Sequence, residues 1–160
     1  MKKYLFLVLI ICSLFFTGCF SEKKSPFYNS EWLMENVDSE NNKYYHQLFL
    51  KPKHQVTFQS YYENGNAAIV WTGTYKINSK KIVFDFTQCT RFENNEIVGN
   101  YTAGQIIKYY AGDYLYSIGL IGEGEDKKYH LQLIRPNDNY FLSNNNDMFG
   151  NPFEDFVKQE

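Results

Sequence analysis

Between residues 54 and 134, apolar and polar positions alternate with a period of two over several short stretches. Val56 and Phe58 share one face against Gln55, Thr57 and Gln59. Trp71, Gly73, Tyr75 and Ile77 oppose Thr72, Thr74 and Lys76; Ile82, Phe84 and Phe86 oppose Val83 and Asp85; Tyr129, Leu131 and Leu133 oppose His130 and Gln132. A period of two with one apolar side predicts antiparallel strands buried on one face. The breaks between them are turn-like. They include Lys51-Pro52-Lys53, Asn78-Ser79-Lys80, Gly112-Asp113, the run from Gly122 to Asp126, and Asn64-Gly65, a strong hairpin signal. Counting from Glu31 gives about eight or nine strands with short connections, and no segment before residue 143 carries a helical period. Such spacing predicts an all-β barrel or sandwich. Closing the sheet removes the edges that an open meander leaves exposed.

The first residues follow another pattern. Met1-Lys2-Lys3 is short and basic, Tyr4 to Phe16 is almost wholly apolar, and Thr17-Gly18 is small. This is the layout of a secretory signal peptide, with a core too short for a dependable membrane-spanning helix. Phe16-Thr17-Gly18-Cys19 resembles the lipobox of bacterial lipoproteins. The resemblance implies that residues 1–18 are removed and that Cys19 is lipidated on its sulfur and acylated on its new amino group. The chain is then exported and lipid-anchored to the cell membrane or outer membrane, with the membrane as its partner through Cys19. Phe20 stands where some lipoproteins held at the inner membrane carry aspartate, and by that resemblance the outer surface of the envelope is favoured. A single acyl chain binds a membrane only marginally, whereas several anchor stably.

Residues 19–30, with the polar run "SEKKSPFYNS", read as a lipidated tether, residues 31–142 as the β-domain, and residues 143–160 as an Asn- and acid-rich tail. That tail reads as disordered, or as a short helix over residues 152–158 that docks Phe153 and Phe156 on the barrel, and a partly ordered tail is expected.

Removing residues 1–18 leaves fourteen basic and eighteen acidic residues, a formal net charge of −4. That balance argues against a nucleic-acid partner, which requires a concentrated basic stripe. It also argues against electrostatic attraction to an anionic membrane. With Cys12 removed and Cys19 occupied, Cys89 has no partner for a disulfide within the chain and is expected to be a small apolar filler.

Catalytic and metal signatures are weak. His46, His54 and His130 lie on different predicted strands without local ligand spacing, and no Cys-x-x-Cys occurs. An EF-hand frame starting at Asn145 places Gly150 correctly but puts Phe149 and Phe156 at ligand positions. Ser60 and Ser117 sit in strands and not in a nucleophile elbow, although a triad can assemble from distant residues. Phosphate-binding glycine loops are absent. The expectation is a protein that is not an enzyme, with no catalytic residues, no metal site and no cofactor.

"EWLMEN", "LFLKPKHQVTF" and "WTGTYKINSKKIVFDF" together resemble the small lipocalin-like lipoproteins of bacteria. Trp32 matches their first-strand tryptophan, and Gly73 and Tyr75 match a Gly-x-Tyr element. The resemblance covers roughly residues 30 to 135 and implies an antiparallel up-and-down barrel of about eight strands. Phe58, Trp71, Tyr75, Phe84 and Phe86 would face its interior, either binding a small apolar or amphipathic ligand or filling the space. The ligand reading predicts a cavity of a few hundred Å³. The filled reading predicts none, and makes the barrel a structural or protein-interaction module. The Tyr-rich run "IIKYYAGDYLYS" either continues the lining or faces outward.

Overall fold

The computed structural model describes residues 25–65, 67–135, 146–149, 151–152 and 155–159. Cys19 and residues 1–18, expected to form a signal peptide, lie outside the described residues. Eight strands close into a ring: β1 (Ser30–Val37), β2 (Lys43–Lys51), β3 (Gln55–Tyr62), β4 (Ala67–Ile77), β5 (Lys81–Glu93), β7 (Gly112–Ile121), β8 (Lys128–Ile134) and β9 (Asp155–Lys158). Each pairs antiparallel with its neighbours in that order, and β9 closes the ring onto β1. One more strand, β6 (Glu96–Tyr101), pairs with the distal part of β5. The all-β antiparallel fold expected from the alternation forms, and its up-and-down order is the one the resemblance implied.

The period of two sets which side chains point inward. Tyr44, His46, Leu48 and Leu50 of β2 are buried, as are Val56, Phe58 and Ser60 of β3. Cross-strand register stacks them, with Leu48 opposite Phe58 and Phe58 opposite Trp71. Among the pairings of the ring the alternation slips once. Thr72 pairs with Gln88 but Gly73 pairs with Phe86, so Thr87 is an extra residue in β5. This bulge turns both Phe86 and Cys89 inward although they are three positions apart. A side chain on Gly73 would overlap the Asp85 carbonyl oxygen, so the close approach of β4 and β5 requires glycine.

Both ends of the ring are stoppered. At the entry end, Phe27 packs against Trp32 and meets Tyr116 edge-on with ring centres 5.1 Å apart. Ser30 Oγ donates to the Phe27 carbonyl at 3.0 Å and accepts from Trp32 Nε1 at 2.8 Å. At the far end, the single-turn helix α1 (Gln105–Lys108) sits over the core and its Ile106 carbonyl accepts from Trp71 Nε1 at 2.8 Å. The run "IIKYYAGDYLYS" sends Ile107, Tyr110 and Tyr114 into the core and leaves Leu115 exposed on the outside. Arg135, at the end of β8, donates to the Tyr109 and Ala111 carbonyls and lies over the Tyr114 ring, tying that strand to the α1–β7 connection.

The C-terminal stretch contributes to the ring. Where the sequence allowed a helix over residues 152–158, Asp155–Lys158 is a strand between β1 and β8. Phe156 is fully buried, as docking required; Phe153 lies outside the described residues. A strand prevails over a helix here because β1 and β8 present unpaired backbone edges that only an extended segment satisfies.

Candidate functional site

The structure places all five candidate ligand-binding residues in one core. Phe58, Trp71, Tyr75, Phe84 and Phe86 are each at most 6% exposed. They pack mainly against one another and against the far-end stopper. Tyr110 lies 4.5 Å from Phe58 and 5.0 Å from Trp71 between ring centres, the latter edge-on; Phe84 stacks on Phe86 at 5.9 Å. The void left between Leu48, Leu133 and the rings of Phe58, Phe84, Phe86, Tyr110 and Tyr114 is about 10 Å³. One water needs ~10–15 Å³. Tyr75 and Phe84 also reach an open cleft on the outer wall, about 570 Å³, beside Lys76, Asp85 and Lys108.

The other notable constellation is a buried polar chain under the far end. It joins β2, β3 and the segment ahead of β9. Ser60 Oγ lies 2.6 Å from His46 Nδ1, and His46 Nε2 lies 2.9 Å from Asp147 Oδ2. Tyr44 donates its hydroxyl to the same Asp147 oxygen at 2.5 Å. The other Asp147 oxygen accepts from the Phe149 and Asn151 backbone N–H groups at 2.8 and 3.0 Å, and Asn151 Nδ2 donates to Tyr44 Oη. Phe149 covers the group, with its ring centre 4.3 Å from that of Tyr44 and 5.5 Å from that of Tyr62.

Two shifts describe the charge state. Burial pushes the His46 imidazole below its usual value, against the opposing pull of Asp147. Burial also pushes the Asp147 carboxyl up, but hydrogen bonds from His46, Tyr44 and the Asn151 N–H outweigh it and hold it low. The consistent assignment is a neutral His46 whose Nε2–H donates to an ionised Asp147, while Nδ1 accepts from the Ser60 hydroxyl. Tyr44 is pushed well above the usual tyrosine range by burial and by its bond to Asp147.

Serine, histidine and aspartate in a hydrogen-bonded line are the parts of a hydrolase relay. Here the two ring nitrogens exchange the roles they have in that relay, and Ser60, His46 and Asp147 are each at most 3% exposed. The arrangement anchors the segment carrying Asp147 and Phe149 to the barrel wall, with each polar group serving its neighbour. The other histidines lie elsewhere. His130 is 3.1 Å from the Asp155 carboxylate and His54 packs near Tyr75. Among the described residues no three His, Cys, Asp or Glu side chains gather as metal ligands. Cys89 is fully buried, and burial pushes its thiol up to about 11.

Sequence reasoning singled out His46 and Ser60 separately, and left the run that holds Tyr110 open between lining and outward-facing, but missed Tyr44 and Asp147. Tyr44 and His46 share the inward face of β2, which is a readable signal. Asp147 is 101 positions from His46 in a stretch without a period, and nothing local marks it. No known protein family, curated protein or solved structure matches this chain.

Proposed function

We propose that this chain is an envelope lipoprotein, exported and held to a membrane by lipid on Cys19, whose filled lipocalin-like barrel serves as a non-enzymatic structural or protein-interaction module. The observation that carries the module reading is the 10 Å³ interior void. A small amphipathic ligand needs a pocket of ~300 Å³ or more, and the rings that would line one are packed against each other. The buried relay supports the non-enzymatic reading, because Ser60 is shielded from any substrate carbonyl. The outer face supports an interaction role. Leu115 and Ile134 are register neighbours on β7 and β8, each more than 40% exposed, and Leu120 with Tyr129 forms a second exposed apolar pair farther along the same two strands. Exposed apolar side chains clustered on a sheet are a common feature of protein contact sites.

A second reading keeps a small apolar ligand, placed in the outer cleft that Tyr75 and Phe84 reach. A fluorescent fatty-acid probe separates the two. The module reading expects no saturable binding and no change in tryptophan emission across a titration. Saturable binding with quenching of Trp71 would contradict it and favour the ligand.

A further inference from the structure

The net charge of the chain conceals a separation along the barrel axis. The entry end, where residues 25–29 meet the ring, carries Lys51, Lys53, Lys80, Lys127, Lys128 and Lys158 against Glu31, Glu123, Glu125 and Asp126. The far end carries Glu35, Asp38, Glu40, Glu63, Glu93 and Glu96 against Lys43, Arg91 and Lys108. An overall negative chain is therefore basic at one end and acidic at the other.

Four of the entry-end lysines converge. Lys51, Lys127, Lys128 and Lys158 line a groove of about 560 Å³ together with Phe49 and Tyr129. Lys51 Nζ stands 5.8 Å above the Phe49 ring and donates to Thr57 Oγ1 at 2.9 Å; Lys158 Nζ stands 5.6 Å above the Tyr129 ring. Among the described residues none of these four ammonium groups is in an ion pair, whereas Lys43 and Lys81 are paired with Glu35 and Asp113. Glu31, the acid on the groove rim, is held by the Gln47 amide. The groove thus offers several ammonium donors, two of them held over rings, to an anion that none of the described residues supplies through an ion pair.

The chain path names the anion. Cys19 precedes Ser25 by six residues, a span of at most ~20 Å when extended. A lipid on Cys19 therefore keeps the entry end close to the bilayer surface. We propose that the lysine groove docks on anionic phospholipid headgroups of the membrane that holds Cys19, with lysine ammonium groups bonding phosphodiester oxygens. This inference rests on the reading of Cys19 as lipidated.

The test uses the mature lipidated protein, with the mass of the Cys19 peptide measured first, in vesicles of phosphatidylcholine alone or mixed with phosphatidylglycerol. Lysines are acetylated and their rates followed by peptide mass spectrometry. In the anionic vesicles Lys51, Lys127, Lys128 and Lys158 should react about fivefold more slowly than in neutral ones. High salt should remove the difference, and Lys43 and Lys108 at the far end should not change. Equal rates in the two vesicle types, or equal slowing at both ends of the barrel, would overturn the headgroup contact while leaving the lipid tether intact. An unmodified Cys19 would overturn the tether and this inference with it.

Discussion

Asp147 joins more of the molecule than any other polar side chain described. It bonds Tyr44 and His46 on β2, reaches Ser60 through His46, and folds its own segment through the Phe149 and Asn151 N–H groups. The chain is satisfied only with His46 neutral and Asp147 ionised, and this couples stability to pH. His46 has a folded pKa depressed below 6.5, so the unfolded chain takes up a proton first as the pH falls. The stabilisation is fully present above about pH 6.5 and is lost below it. Asp147 has a folded pKa below 3.8, so its contribution persists to lower pH and is lost only as the pH falls toward that depressed value. The urea midpoint of the wild-type protein should therefore fall between about pH 7 and pH 5, and His46→Gln should flatten that fall. A wild-type midpoint that stays constant over this range, or an equal fall in the variant, contradicts the assignment. Little of this was readable in the sequence. His46 announces itself as a polar residue on an apolar face, but its partner is fixed by the packing of a distant segment.

At the scale of elements, legibility follows the strength of the period. β3, β4, β5 and β8 were visible because their inward residues recur every second position and are large. The bulge at Gly73 was not visible as a phase change, since Phe86 and Cys89 each look regular beside their immediate neighbours. β9 was invisible for a different reason. Four residues with a single buried ring, Phe156, carry no period, and the segment becomes a strand because two edges await it. β9 should therefore matter more than its length suggests. Deleting residues 155–160 leaves β1 and β8 unpaired along facing edges, and such edges recruit other chains. The shortened protein should self-associate in sedimentation at concentrations where the full chain is monomeric. A truncated chain that sediments as a monomer with an unchanged melting temperature would show that β9 does not seal the ring.

The whole molecule is a ring of alternating strands filled by its own aromatics. Fourteen Tyr and fourteen Phe made an aromatic interior foreseeable. Whether those rings line a space or occupy it was not, because the answer depends on the stoppers. Tyr110, from a connection outside the alternating strands, enters the core between Phe58, Trp71 and His46. Phe27 and Phe149 cover the two ends in the same way. Charge is likewise legible only in three dimensions, since the basic entry end and acidic far end average to a modest negative total. Native mass spectrometry of the protein extracted from its own membranes reads both the lipid on Cys19 and the contents of the barrel. The account predicts one species, the chain from Cys19 onward plus covalent acyl groups, with no non-covalent small molecule released on activation. A stoichiometric bound ligand, or a chain that retains residues 1–18 with Cys19 bare, would contradict it.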